Sequence, residues 1–318
     1  MSLDLRALRS FIAIAAAGSI TRAAENLHMA QPALSILLRQ MEEQLGAVLF
    51  ERTYRGVKLT MAGERLLSHA KEIIKRMDIA VEDVRDTVAE PTGRVALGLP
   101  QSVARFLAVP LVREAVKRWP KVQLQIIEMS SGYVFDHLIK GNIDLGITFG
   151  TEENSGISHS HLFDEELVFI SSRQQIASFL KNKKRRINTI TARELSHFPI
   201  IFPTTAHSLR RRIDEYLYQQ NIQLNVIAEV DAIPQLLALA AEGIGSTVHS
   251  YASVLGAQSL ENVSILKITD PPITRSVYLC RSSTMPHSIA TSLPHDFLRQ
   301  YASRLVQTNE WPITLKSH

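Results

Sequence analysis

Apolar positions near the start of the chain recur every three or four residues. Leu5, Leu8, Phe11, Ile12 and Ala15 mark one amphipathic helix, and Gly18 supplies the left-handed residue that ends it. Ser19 or Thr21 can cap a short second helix carrying Ala23, Ala24 and Leu27. Pro32 suits the first turn of a third helix that runs to about Leu45 and stops at Gly46. Two helices joined by a turn near residues 27–31 predict a helix-turn-helix. Val48-Leu49-Phe50 and Val57-Lys58-Leu59 flank the turn residues Tyr54, Arg55 and Gly56, which adds a hairpin, or wing.

From Met61 to about Val88 the period changes. Leu66, Ala70, Ile73, Met77, Ala80, Val84 and Thr87/Val88 alternate four and three apart, a heptad seam. That seam either packs on its own domain or pairs two copies of the chain, and its place on an otherwise charged helix favours pairing. Pro91-Thr92-Gly93 breaks the pattern. Beyond it strands and helices alternate: strands over 95–99, 122–128 and 145–149, helices over 106–119 and 133–140, then strands over 200–202 and 225–230 with helices over 209–219 and 233–241. The alternation predicts βαβ units on a mostly parallel sheet, in two similar Rossmann-like halves with a ligand cleft between them at the carboxyl ends of the strands. The expected divisions are 1–60, 61–90 and 91–318.

Charge changes this picture in one respect. Residues 1–76 hold 11 Lys/Arg against 7 Asp/Glu, residues 77–90 hold one against five, and the remainder 23 against 19. A basic block ahead of an acidic stretch points to a polyanion partner for the N-terminal part. The lone cysteine, Cys280, excludes an intramolecular disulfide and fits a reducing compartment; beside an apparent strand it reads as a buried structural thiol. No apolar run of membrane-spanning length and no signal-peptide pattern occurs, so a soluble cytoplasmic protein is expected. Enzyme signatures are missing as well: HExxH, GxxxxGK[ST] and GxGxxG do not occur. A ligand carrier would have no use for a winged helix-turn-helix. The expectation is a non-enzyme without a cofactor.

On a helical wheel Leu34, Leu37, Leu38, Met41 and Leu45 of the third helix share one face, and Gln31, Ser35, Arg39 and Glu42 the other. Gln can pair with adenine and Arg with guanine in the major groove, while Ser reaches a base or a phosphate. The same face could simply be solvated; the preceding short helix and the basic wing (Arg52, Arg55, Lys58) favour DNA.

With Ala23-Ala24, Gln31-Pro32-Ala33-Leu34-Ser35, Glu42, Leu45-Gly46, Leu49-Phe50-Glu51-Arg52, Leu59-Thr60 and Gly63, the N-terminal region resembles the LysR-type transcriptional regulators. The likeness continues through Pro110-Leu111-Val112, Trp119-Pro120, Gly141, Asp144-Leu145, Ser208-Leu209-Arg210 and Gly243-Ile244-Gly245, in a style nearest the nitrogen-assimilation and aromatic-catabolism branches. It implies an all-α winged helix-turn-helix that binds double-stranded promoter DNA and a long dimerisation helix. It further implies a C-terminal α/β domain, similar to periplasmic binding proteins, that senses a small molecule. It also implies a homodimer or homotetramer whose effector shifts DNA bending, RNA polymerase as a further partner, and no membrane. The base-reading candidates are then Gln31, Ser35 and Arg39, with Pro32 opening their helix; Thr21, Arg52 and Arg55 are the phosphate or minor-groove candidates. Three places depart from the family pattern. After Gly245, where many members continue to Leu-Pro, this chain reads Ser246-Thr247-Val248-His249-Ser250. Ile36 stands where Arg is frequent, and either packs on the second helix or wing or touches a thymine methyl. Ala30 replaces a frequent Ser, and so loses a cap or a phosphate contact.

The expected effector is a small organic anion. Its candidate contacts lie where strands end: Ser102, Ser131, Thr148, Thr204 and Thr247, of which Ser102, Ser131 and Thr204 match family positions that touch the effector. Plain helix capping is the competing role for each. Arg105 or His207 supplies the charge or lies on the surface. The basic run 181–186 reads as solvated, as do two of the three arginines Arg210-Arg211-Arg212, and Trp311 reads as part of a loosely held terminus.

Overall fold

The computed structural model describes residues 3–54, 56–86, 90–151, 156–181, 188–205, 207–254, 260–284 and 287–311. They form two compact units, the first built mainly on Met1–Glu90.

In the first unit α1 (Leu5–Ala17) starts at Asp4, whose carboxylate accepts the Ala7 N–H, and ends at left-handed Gly18. Ser19, rather than Thr21, caps α2 (Ile20–Asn26) by accepting the Arg22 N–H. The third helix, α3 (Gln31–Leu45), has proline in its first turn and left-handed Gly46 at its end; Ala30 at its N-cap makes no side-chain bond. Strands β1 (Phe50–Thr53) and β2 (Gly56–Leu59) pair antiparallel, with Arg52 opposite Val57. The Val57 N–H donates to Gly18 O at 2.9 Å, fastening the wing to the end of α1. Phe11, Ile14, Leu34, Leu38, Met41, Leu49 and Ala70 share the core.

The long helix α4 (Met61–Asp86) divides the heptad seam. Leu66 and Ala70, with Ile74, pack into the N-terminal core. Ile73, Met77, Ala80 and Val84 stay exposed on the single chain, Val84 at 73%. The seam's last members, Thr87 and Val88, lie outside the described residues. At the start of α4 the Thr60 hydroxyl donates to Val48 O at 2.7 Å and accepts the Gly63 N–H at 3.0 Å. This draws the helix so close to the β1 chain that a Cβ on Gly63 would lie 2.2 Å from Leu49 O.

The second unit contains β3 (Gly93–Leu99), α5 (Gln101–Arg118), β4 (Val122–Glu128), α6 (Ser131–Ile139), β5 (Leu145–Thr148) and β6 (Ile157–Ser172). There follow α7 (Arg173–Leu180), β7 (Thr189–Thr191), β8 (Pro199–Phe202), α8 (Ser208–Gln219), β9 (Asn225–Glu229), α9 (Ile233–Ala241), β10 (Thr247–Ser250) and α10 (Tyr251–Val254). The unit closes with β11 (Val263–Thr269), β12 (Thr274–Ser282) and α11 (Ile289–Gln307). One lobe is cored by Leu97, Leu107, Ile147 and Leu298, the other by Phe169, Phe202, Ile213 and Val248.

The expected βαβ pairs are present: β3 runs parallel to β4 and β5, and β8 parallel to β9. The sheet is mixed, however, not mostly parallel. Its order is β4-β3-β5-β12-β6-β11-β7, with β10 also on β6, and β12 and β6 run antiparallel to their partners β5, β10 and β11 and to each other. The reason is that the chain crosses between lobes twice. The first half of the 16-residue β6 pairs with β12, its second half with β10 and β11, and the return passes through 270–273. The crossings are tied together where the Leu167 N–H donates to Ile273 O at 2.8 Å. Trp311 is not loosely held: it is 1% exposed in the core of the first lobe. Cys280 is buried, as expected, with its Sγ 3.2 Å from the Thr148 hydroxyl, and burial pushes the thiol up to about 11.

Gly63→Ala is expected to lower stability by about 1–3 kcal/mol, because the added methyl meets backbone that cannot move aside. Met61→Ala, at an exposed position one turn-face away, should cost far less. Urea unfolding of the two variants checks this.

Candidate functional site

Two surfaces carry chemistry. On the first, α3 buries Leu34, Leu38 and Met41 and leaves Gln31, Pro32, Ile36 and Arg39 exposed, with Ser35 half-buried. The Gln31 amide donates to the Ser35 hydroxyl at 2.9 Å, which joins two base-reading candidates in one polar surface. Glu42 leaves that set: its Oε1 accepts the Leu49 N–H at 2.7 Å and the Phe50 N–H at 3.4 Å, holding the start of the wing against the helix. Ile36 does not bury itself against α2 or the wing, being 53% exposed. Thr21 and Arg52 are exposed, and Arg55 lies outside the described residues.

The second surface is the cleft between the lobes of the second unit. It holds one cavity of about 380 Å³, lined by residues that include Ser102, Tyr133, Thr204, His207, Asp231 and His249. A second, of about 450 Å³, is lined among others by Ser131, Thr148, Ser208, Arg211 and Arg212. Phe149 and Arg275 line both cavities. The cleft thus brings together four of the five effector candidates, two in each cavity. Thr247 is not among the lining residues of either; it is buried at the start of β10, opposite Ile170. Some candidates already have partners. Thr204 donates through its N–H and hydroxyl to Asp231 Oδ1 at 2.8 and 3.0 Å, Thr148 donates to Gly150 O at 3.0 Å, and the Ser131 and Ser208 hydroxyls touch across the lobes.

The charge comes from a residue outside the sequence-derived candidates. Arg275 lies over the Phe149 ring, 3.5 Å from its centroid, and donates from Nε to Glu165 Oε1 at 2.6 Å. Its Nη2 reaches the Ser102 hydroxyl at 3.5 Å, and its buried Nη1 has no hydrogen-bond partner among the described residues. The side chains of Arg275 and Glu165 are each 1% exposed. Burial pulls the guanidinium down and Glu165 pulls it back up, so the cation persists. Arg105 is exposed and lines neither cavity. His207 does line the first, but burial, then Arg275, lower its pKa against a smaller opposing pull from Asp231. His249 lies still further below the ordinary value, through burial, Arg275 and His207. The Leu209 N–H donates to His207 Nδ1 at 3.3 Å, which leaves Nε2–H as the donor of that neutral ring. His249 Nδ1 faces the Ser250 N–H at 3.0 Å and the Ser253 hydroxyl at 2.6 Å.

One signal could have found Arg275. Ile273, Arg275, Val277 and Leu279 alternate as the buried phase of β12, and a charge on that phase needs a partner. His249 lies in the stretch Ser246–Ser250, where the sequence departs from the family pattern and only Thr247 is a candidate. Among the described residues no three His, Cys, Asp or Glu side chains group to hold a metal, and no helix is long and apolar enough to cross a membrane.

A helix-turn-helix with a wing, carried on the same chain as a two-lobed cleft built around a buried arginine, defines a ligand-responsive DNA-binding protein. Residues 5–64 match the bacterial regulatory helix-turn-helix family named for LysR, and residues 89–303 match the LysR substrate binding domain. The chain belongs to the LysR family of transcriptional regulators and is not an enzyme. It is 28% identical over 295 residues to the nitrogen assimilation regulatory protein Nac of Klebsiella aerogenes (91% of this chain, 92% of that one). It is 30% identical over 251 residues to the regulator AlsR of Bacillus subtilis (77% and 80%). Its fold is shared with a full-length OxyR variant from Pseudomonas aeruginosa (TM-score 0.73, 18% identity, 95% and 98% covered) and with full-length CbnR complexed with its target DNA (TM-score 0.65, 20% identity, 94% and 100% covered).

Two histidines kept neutral by folding fix the sign of a pH effect. Below the ordinary histidine value of 6.5 the unfolded chain takes up protons that the folded chain refuses. Stability should therefore fall as pH drops below about 6.5, by up to about 1.4 kcal/mol per pH unit for each histidine. His249→Gln should remove the larger part of that slope in urea unfolding between pH 7 and pH 5.

Proposed function

We propose that Gln31, Ser35 and Arg39 read base edges in a major groove, that Ile36 contacts a thymine methyl, and that Thr21, Arg52 and Arg55 hold the flanking phosphates. The observation that carries this reading is the exposed face of α3 opposite its three buried anchors, with Gln31 and Ser35 already joined. The proposed division of labour is DNA binding by 1–60, self-association by 61–90 and effector binding by 91–318, in the cytoplasm. The exposed run Ile73, Met77, Ala80 and Val84 supports pairing of two α4 helices, and exposed Val109, Val112 and Val116 on α5 support a second contact between copies, so that dimers can join as a tetramer. Paired α3 helices would then meet a dyad-symmetric operator.

Selection from a random DNA pool at two salt concentrations tests this. A dyad-symmetric motif whose affinity falls steeply with salt is expected, and recovery of no motif or of an asymmetric one counts against it. Gln31→Ala should relax sequence preference by about 1–3 kcal/mol at one base pair, whereas Arg52→Ala should weaken all sequences alike and lower the salt slope by about one. Equal loss on every sequence for both variants would refute the division.

We further propose that the effector carries a carboxylate, taken by Arg275 through its free Nη1 with Ser102 and the His249 ring beside it. Its apolar body lies against Met129, Tyr133, Phe149 and Ile233. Glu128 and Asp231 line the same cavity and suit a hydroxyl or ammonium group elsewhere on the molecule. Ligand that binds the closed lobes more tightly than the open ones shifts the population, and only that difference in affinity can reach the DNA. As a probe, 3-phenylpropionate should bind more tightly than its neutral amide. Arg275→Gln should cut carboxylate affinity about 10- to 100-fold by calorimetry; an unchanged affinity would exclude Arg275 as the anion site.

A further inference from the structure

Trp311 lies beyond α11, yet it is walled in by the first lobe. Its indole stacks on Phe106 with centroids 4.7 Å apart and planes at 27°, and meets Phe163 edge-on at 4.8 Å. Its polar atom is aimed at a single target: Nε1 donates to Glu165 Oε2 at 3.2 Å. The other oxygen of that carboxylate, Oε1, holds both Arg275 Nε, at 2.6 Å, and Nη2, at 2.5 Å. Each oxygen therefore has its own partner, and the carboxylate is clamped between an indole and a guanidinium. Phe106, the ring under the indole, sits one helical turn along α5 from Ser102, which Arg275 Nη2 reaches.

A carboxylate with both oxygens free would turn to place one on Nε and the other on Nη2, the two parallel bonds preferred by such a pair. The indole N–H prevents that by occupying Oε2, so one oxygen serves both nitrogens and the guanidinium charge is only partly neutralised. Nη1, which neither geometry engages, has no hydrogen-bond partner among the described residues. We infer that Trp311 is a positioning residue for effector binding: it holds Glu165 so that the guanidinium keeps charge for the anionic group of the ligand, which Nη1 receives. This rests on the reading of Arg275 as the anion site, and Trp311 thereby becomes part of the sensor.

The experiment uses the full-length protein and 3-phenylpropionate, with its neutral amide as control. W311F keeps an aromatic ring over Phe106 and removes only the N–H donor. It should weaken the carboxylate about tenfold and leave the amide unchanged. Equal weakening of both would mean that the indole merely supports the lobe, and would overturn the inference. So would W311F binding the carboxylate like wild type while R275Q loses it; R275Q binding like wild type would instead overturn the anion site and this inference with it. In an E165Q background, W311F should bring no further loss of carboxylate affinity, and a second tenfold loss there would refute the clamp. A fourth measurement leaves Trp311 in place. The chain has 2 tryptophans, so in W119F the emission reports Trp311 alone. It should shift on adding the carboxylate and not the amide; an unchanged spectrum with bound carboxylate refutes the coupling.

Discussion

Arg275 and Glu165 sit opposite each other on the antiparallel strands β12 and β6, almost without contact with water. Either charge alone would be costly there, and a buried pair roughly breaks even only when its remaining hydrogen-bonding groups are answered. Glu165 is fully answered, by Arg275 and Trp311. Arg275 is not, and the N–H it leaves over belongs to a residue that lines both cavities of the cleft. The same pair lies beside the place where the chain passes between lobes, Glu165 two residues before Leu167 and Arg275 two residues after Ile273, the residues whose backbones join the two crossings. On the proposed reading of Arg275, recognition and the two crossings share one short stretch of two strands, and a ligand that satisfied Arg275 would act beside the crossings.

The N-terminal unit was readable from local rules. Helix ends at Gly18 and Gly46, the cap at Ser19 and the polar face of α3 follow from conformational preferences and a 3.6-residue period that act over a few neighbours. The βαβ pairs were readable for the same reason. What escaped was long-range. The pattern over 157–172 does not say that its first half pairs with one lobe and its second half with another, so the antiparallel core of the sheet was missed. Arg275 finds Glu165 across 110 residues, and Trp311 finds Glu165 across 146. Composition near a chain end favours a frayed terminus, and only the tertiary core could reverse that for Trp311. The effector candidates fared in between. Hydroxyls at strand ends did collect at the cleft, because strand polarity places them there, but Thr204 and Thr148 are bonded to Asp231 and Gly150, as the capping alternative would have it.

The two functional surfaces solve opposite problems. The face of α3 must stay hydrated until DNA arrives, so its donors are exposed, and Glu42, the residue of that face with a buried role, is turned to the wing. The cleft keeps its two histidines neutral and, among the arginines that line it, holds Arg275 as the buried cation. Linkage between the surfaces is reciprocal: a ligand that alters DNA affinity must have its own affinity altered by DNA to the same degree.

The 16-residue strand β6 has one further consequence. Neither lobe is a continuous piece of chain, since each borrows half of the same strand and the return through 270–273. Two covalent crossings bound to each other at Leu167 and Ile273 confine the connection between the lobes to one short line. The narrower such a joint, the fewer relative arrangements the lobes have to lose on closing, and the larger the share of an effector's binding energy that remains to favour one of them.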